Sequence, residues 1–104
     1  MNKFNVFITI IFLSLFFQSL KSDEKYDFGK NVVLNKANCA VCHMLADANS
    51  AGKIGPNLDQ IKPELIRIES AVSMGIGVMP AFEGILTDEE IKSVSYYVFK
   101  SINK

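Results

Sequence analysis

The sequence predicts an all-α fold, and three observations carry that expectation. Apolar residues recur at helical spacing in three separate stretches, one of these stretches opens on a complete helix-start signal, and no stretch shows the alternation of a strand or a hairpin turn. Of the 104 residues, 49% are hydrophobic, which suffices for one small domain.

Much of that apolar excess sits at the start. Lys3 precedes a run from Val6 to Phe17 without charge, and small residues follow at Ser19 and Ser22. This is the build of a secretory signal over residues 1–22, leaving a domain at 23–104. The twelve-residue run is shorter than the roughly 20 residues needed to cross a bilayer. Extension to Leu20 gives a marginal span, so retention as a membrane anchor is the alternative. Of the 11 Lys+Arg, Lys3 and Lys21 would leave with the signal, so 9 would face 11 Asp+Glu. No basic stripe survives, which argues against nucleic acid as a partner.

Within the domain, the first helix is expected over about Tyr26–Asn35, with Phe28, Val32 and Val33 on one face and Gly29 allowing another helix close. From Ala46 to Lys62 a long Gly/Ala/Asn-rich loop is expected, wrapped on some internal support. Pro63 suits the first turn of a helix running to about Met74, with Leu65, Ile68 and Val72 on one face. In the last helix Thr87 and Glu90 fit a capping box, Leu86 and Ile91 a hydrophobic staple, and Ile91, Val94, Val98 and Ile102 the buried stripe. Its charges read as a solvated face. A domain this small commonly needs a disulfide, a metal or another internal support.

The two cysteines and the single histidine fall within five residues, Cys39-Ala40-Val41-Cys42-His43. A zinc site needs four ligands and fails on count unless a dimer shares the metal. A thiol–disulfide site belongs at the head of a helix in a fold with a sheet, which is not seen here. The third reading is covalent haem attachment, with thioethers at Cys39 and Cys42 and His43 as iron ligand. Met44, Met74 and Met79 are the candidates for a sixth ligand. Met44 adjoins His43 and cannot reach the opposite haem face, and Met74 ends a helix as a packing residue. Met79 is favoured, since Gly75-Ile76-Gly77-Val78 and Pro80 frame it in a tight loop; the alternative is an apolar residue that covers haem without ligation. A ligating imidazole needs an acceptor for its second nitrogen, and the Pro56 carbonyl in Gly55-Pro56-Asn57-Leu58 can supply it.

In the order and separation of Cys39-Ala40-Val41-Cys42-His43, Gly55-Pro56-Asn57-Leu58, Met79-Pro80-Ala81-Phe82 and the final helix, the chain resembles class I c-type cytochromes over about residues 26–102. The resemblance implies three to four main helices around one haem c, with the N- and C-terminal helices in contact, here at Gly29 and the Val94/Tyr97/Val98 face. It also implies axial ligation by His43 and Met79 and acceptance from His43 by Pro56. Val33 stands where the family often has an aromatic, and no tryptophan is present as a propionate donor.

The implied role is a monomeric periplasmic carrier of single electrons in a respiratory chain, or in a thylakoid lumen if the source is a phototroph. It would run between a quinol-oxidising cytochrome bc complex or a dehydrogenase and a terminal oxidase or reductase. Docking would use a haem edge ringed by Ala40, Ile76, Val78 and Ala81. The alternatives are an anchored electron-transfer subunit of one enzyme complex and, with open iron, a gas sensor or peroxidase. Gly55-Pro56-Asn57-Leu58 leans towards respiratory bacterial relatives. No enzymatic activity is expected of the carrier.

Overall fold

Residues 23–104 are described by the structure, a computed structural model; the expected export signal at 1–22 lies outside them. Residues 23–35 form helix α1. Its buried stripe centres on Gly29, Val32 and Val33. Phe28, expected on that face, is instead 42% exposed. The reason is that the crossing helix seats on the glycine, and Phe28 lies a quarter-turn away from it. Val33, in the place of an aromatic, is fully buried.

After α1 the chain turns through Asn38, in the left-handed region at φ 55°, into a 3-10 turn at Cys39–Val41. A small antiparallel hairpin follows, strands β1 (Met44–Leu45) and β2 (Ser50–Ala51), joined through a one-turn 3-10 segment at Ala46–Ala48. This corrects the expectation of a plain loop from Ala46 to Lys62. Two-residue strands are too short to show alternation, so no periodicity could have revealed them. A one-turn helix α2, Leu58–Ile61, also falls inside that stretch.

Helix α3 spans Leu65–Met74, with Glu64 at its N-cap position, so Pro63 lies just outside the helix rather than in its first turn. Ile68 and Val72 point into the core, whereas Leu65, the first residue of the helix, is 36% exposed. Helix α4 spans Asp88–Ile102 and begins as expected: Glu90 N–H donates to Thr87 Oγ1 at 3.1 Å and Thr87 N–H to Glu90 Oε1 at 2.9 Å. Leu86 and Ile91 are buried on either side of the cap. Glu90 departs from the solvated face expected of it, because its carboxylate also receives Lys36 Nζ at 2.6 Å and is buried at the end of α1.

The two terminal helices cross at Gly29. A Cβ there would lie 2.0 Å from the Ser93 carbonyl oxygen and 2.8 Å from Tyr97 Cβ. Ser93 and Tyr97 therefore make the closest contact; Val94 and Val98 are buried in the core. Tyr97 is fully buried, stacks edge-on against Tyr26 at 4.8 Å, and donates its hydroxyl to Asp47 at 2.6 Å. The same carboxylate receives Lys104 at 2.5 Å and Lys30 at 3.3 Å. One side chain in the hairpin thus joins both terminal helices.

The charge states follow. Burial alone would raise the Asp47 carboxyl, but hydrogen bonds from Lys104 and Tyr97 outweigh it and hold the group well below the ordinary carboxylate range. The hydrogen bond from Lys36 and the Thr87 backbone lower Glu90 in the same sense. Burial first, and then Asp47, push the Tyr97 phenol upward. A carboxyl depressed in the folded state stabilises it above the unfolded pKa and ceases to do so as pH falls; a raised phenol stabilises it below its unfolded pKa and ceases as pH rises. Thermal unfolding should therefore show a plateau between about pH 4 and about pH 10, falling on both sides. In Asp47→Asn the acid arm should be shallower and the plateau lower, and an acid arm identical to wild type would remove Asp47 from this account.

Candidate functional site

The five residues Cys39 to His43 fold as one tight turn. The Cys39 carbonyl accepts from Cys42 N–H at 3.2 Å and from His43 N–H at 2.9 Å. Positions three and four residues on thereby return to the side of Cys39. Both thiols are free and half-buried. Burial pushes the Cys39 thiol up to about 11. That keeps the Cys39 thiol in its protonated, less nucleophilic form at neutral pH. Among the described residues no three His, Cys, Asp or Glu side chains are grouped to hold a metal ion, so the two thiols and His43 do not converge as a zinc site requires.

His43 Nδ1 lies 2.8 Å from the Pro56 carbonyl oxygen. A carbonyl only accepts, so Nδ1 carries the hydrogen, and in the neutral ring the lone pair lies on Nε2, facing away from Pro56. The segment before Pro56 makes this possible. A Cβ on Gly55 would lie 2.6 Å from His43 Cε1 and 2.8 Å from Nδ1, so only a residue without a side chain leaves room for the ring. Gly55 N–H also donates to the Cys42 carbonyl at 2.7 Å. Gly52 packs as closely on the Val41–Cys42 backbone.

Asn57 then caps α2 by accepting from Asp59 and Gln60 N–H, while its amide Nδ2 points to Met44 Sδ at 3.1 Å. The sulfur of Met44 is turned to Asn57. Asp59 in turn accepts from Ala46 N–H at 2.7 Å, tying α2 to the hairpin. Sequence reasoning placed Gly55 and Asn57 in the motif of the Pro56 acceptor without giving either a role, and did not name Gly52 or Asp59. The Asn before a short helix was a readable cap signal. The glycines carry no mark that separates close packing from an ordinary turn.

Replacing Gly55 with alanine should displace the imidazole and break its contact with Pro56, since a Cβ has no rotamer by which to withdraw. The ring-proton resonances of His43 report it. Unchanged resonances in Gly55→Ala would contradict the close approach.

Met79 lies in the loop after α3. Ile76 and Met79 exchange both backbone bonds, at 3.2 and 2.9 Å, around Gly77 at φ 57°. This is a two-residue hairpin of the type that requires glycine at its first central position. Gly75, at φ 75°, presents the Met79 carbonyl oxygen 2.7 Å from where a Cβ would stand. The two glycines therefore set the shape of this loop, and Gly77 has nothing within 4 Å. Phe82 N–H donates to the Val72 carbonyl at 2.8 Å and fastens the loop back onto α3.

Met79 and Cys39, both half-buried, pack against the same core cluster. Met74, expected to pack, is 68% exposed. Of the residues expected around an accessible edge, Ile76, Val78 and Ala81 are exposed and Ala40 is half-buried.

Comparison with known proteins follows the same outline. Residues 29–98 match the family described as Cytochrome C oxidase, cbb3-type, subunit III. The chain is similar to cytochrome c6 of Bryopsis maxima, 38% identical over 77 residues that cover 64% of this chain and 83% of that protein. It is equally similar to cytochrome c6 of Leptolyngbya boryana, 38% identical over 72 residues, 65% of this chain and 85% of that one. Among solved structures, the c-type cytochrome SorU of Sinorhizobium meliloti superposes with a TM-score of 0.74 at 48% identity, covering 79% of this chain and 95% of that chain.

Proposed function

Because this chain belongs to the cytochrome c family, as a small monohaem member of class I, we propose that it carries single electrons on one haem c bound through Cys39 and Cys42, with His43 and Met79 as axial ligands. The observation that carries the reading is the His43–Pro56 contact over Gly55. It supports a ring with one nitrogen already committed and the other free to bind a metal, beside two uncommitted thiols on the same turn. That donor set fits haem c. When bound, the group supplies a ferrous–ferric couple, and a thioether ligand raises its reduction potential.

The residues then do three things. Pro56 keeps the imidazole in one tautomer and orientation, which raises its basicity as a ligand. The Ile76–Met79 hairpin holds the Met79 side chain on a loop fastened to α3, from which its sulfur would serve as the second iron ligand and leave little room for a small molecule. Exposed Ile76, Val78 and Ala81 offer a small apolar patch for brief docking, as weak redox encounters require.

Residues 1–22 serve as the export signal, and the mature protein works in the periplasm as a monomer. It passes electrons from a quinol-oxidising complex or dehydrogenase to a terminal oxidase or reductase and has no catalytic activity of its own. Among the described residues no helix is long and apolar enough to cross a membrane. The test is the absorption spectrum of protein produced with haem-maturation machinery, oxidised and reduced, then exposed to carbon monoxide. A covalent c-type spectrum that carbon monoxide leaves unchanged is expected. Rapid carbon monoxide binding would overturn the closed carrier, and a chain that takes up no haem would return Cys39 and Cys42 to thiol chemistry.

A further inference from the structure

We propose that Asp47 is a positioning residue for the attachment site: it fastens the hairpin that follows His43 to the crossing of α1 and α4, and so holds the imidazole in register with the Pro56 carbonyl. The inference rests on the reading of Cys39–His43 as the haem-attachment turn. Strand β1 starts at Met44, directly after His43, and the return strand leads into Gly52, which presses on the Val41–Cys42 backbone. Hairpin and attachment turn are thus one packed unit. Asp47 lies at the tip of this unit and reaches three partners: Tyr97 at 2.6 Å in α4, Lys104 at 2.5 Å just beyond the end of α4, and Lys30 at 3.3 Å on α1.

Tyr97 is a fixed point, because it is fully buried against Gly29. The neighbouring Ala46 N–H is bonded to Asp59 in α2, the helix that starts two residues after Pro56. The segment that carries the imidazole and the segment that carries its acceptor are therefore referenced to the same two residues, Ala46 and Asp47. Neither helix needs Asp47 for its own hydrogen bonds, so its loss should loosen the site more than the helices.

The test is amide hydrogen exchange on the full haem-loaded chain, read at Asn49 N–H, bonded to the Ala46 carbonyl, and at Gly55 N–H, bonded to the Cys42 carbonyl. In Asp47→Ala both should speed up by at least about tenfold more than amides in the middle of α4, whose smaller acceleration follows the general loss of stability. Asp47→Asn, which keeps an acceptor for Tyr97, should recover part of the protection. Tyr97→Phe retains both lysine pairs and carries the test if Asp47→Ala does not fold; it too should loosen Asn49 and Gly55 ahead of α4. Uniform acceleration over hairpin and α4, or unchanged exchange at Asn49 and Gly55, would overturn the proposal in favour of a purely global role or none. A wild-type chain without a c-type spectrum would instead sink the haem reading, whereas a normal spectrum with uniform exchange sinks only the role of Asp47.

Discussion

Gly29→Ala should destabilise the protein by about 2 kcal/mol or more, lowering the midpoint of thermal unfolding by about 10 °C. Two effects oppose each other. Alanine is the better helix former by about 1 kcal/mol, which favours the variant in isolation. Against this, the new Cβ would stand 2.0 Å from the Ser93 carbonyl oxygen, 2.6 Å from its carbon and 2.8 Å from Tyr97 Cβ. All three are backbone or first side-chain atoms, and a Cβ has no torsion with which to avoid them. The helices must part by more than an ångström, and the packing of Val33, Val94 and Tyr97 behind the contact is lost with them. Phe28→Ala, one position away but 42% exposed, should cost far less. Urea denaturation of the two variants under the same conditions checks the contrast, and equal losses would mean that the helices do not meet on the glycine.

Met79→Ala should open the iron to carbon monoxide and abolish the weak far-red ferric band that a thioether–iron bond produces, whereas Met74→Ala should do neither. The three methionines of the described chain differ in what holds them. Met44 directs its sulfur to Asn57 Nδ2, Met74 is 68% exposed at the last position of α3, and Met79 is half-buried in a hairpin whose backbone is bonded on both sides. Only Met79 combines a sulfur not engaged by Asn57 with a side chain packed against the core, which a ligand needs if it is to keep its place in both oxidation states. On the proposed ligation the potential should also fall in Met79→Ala, because a soft sulfur ligand favours ferrous iron. Retention of the far-red band in Met79→Ala, together with its loss in Met74→Ala, would reverse the assignment.

The helices were legible because they are long enough to show a period and because their ends carry chemistry. The capping box at Thr87 and Glu90 and the buried stripe of Ile91, Val94, Val98 and Ile102 could be read residue by residue, and the structure has them. The hairpin at Met44–Ala51 was not legible, since two residues a strand cannot alternate. Phe28 misled because hydrophobicity ranks it above Gly29, while the crossing was decided by which residue is smallest. Glu90 misled because the solvated reading counted charge and missed its partner, Lys36, 54 positions away.

The sequence by itself determined the fold class, the contact glycine, the Cys39–His43 turn and the pairing of His43 with Pro56, all features of local spacing or of residues whose chemistry leaves few uses. Only the tertiary structure decided that Gly55 makes room for the imidazole, that Met44 is turned to Asn57, and that Asp47 joins the Met44–Ala51 hairpin to both α1 and α4. These depend on distances between residues far apart in sequence. A carboxylate, an asparagine or a glycine has many possible roles, and it acquires a single one only when folding sets its partner beside it.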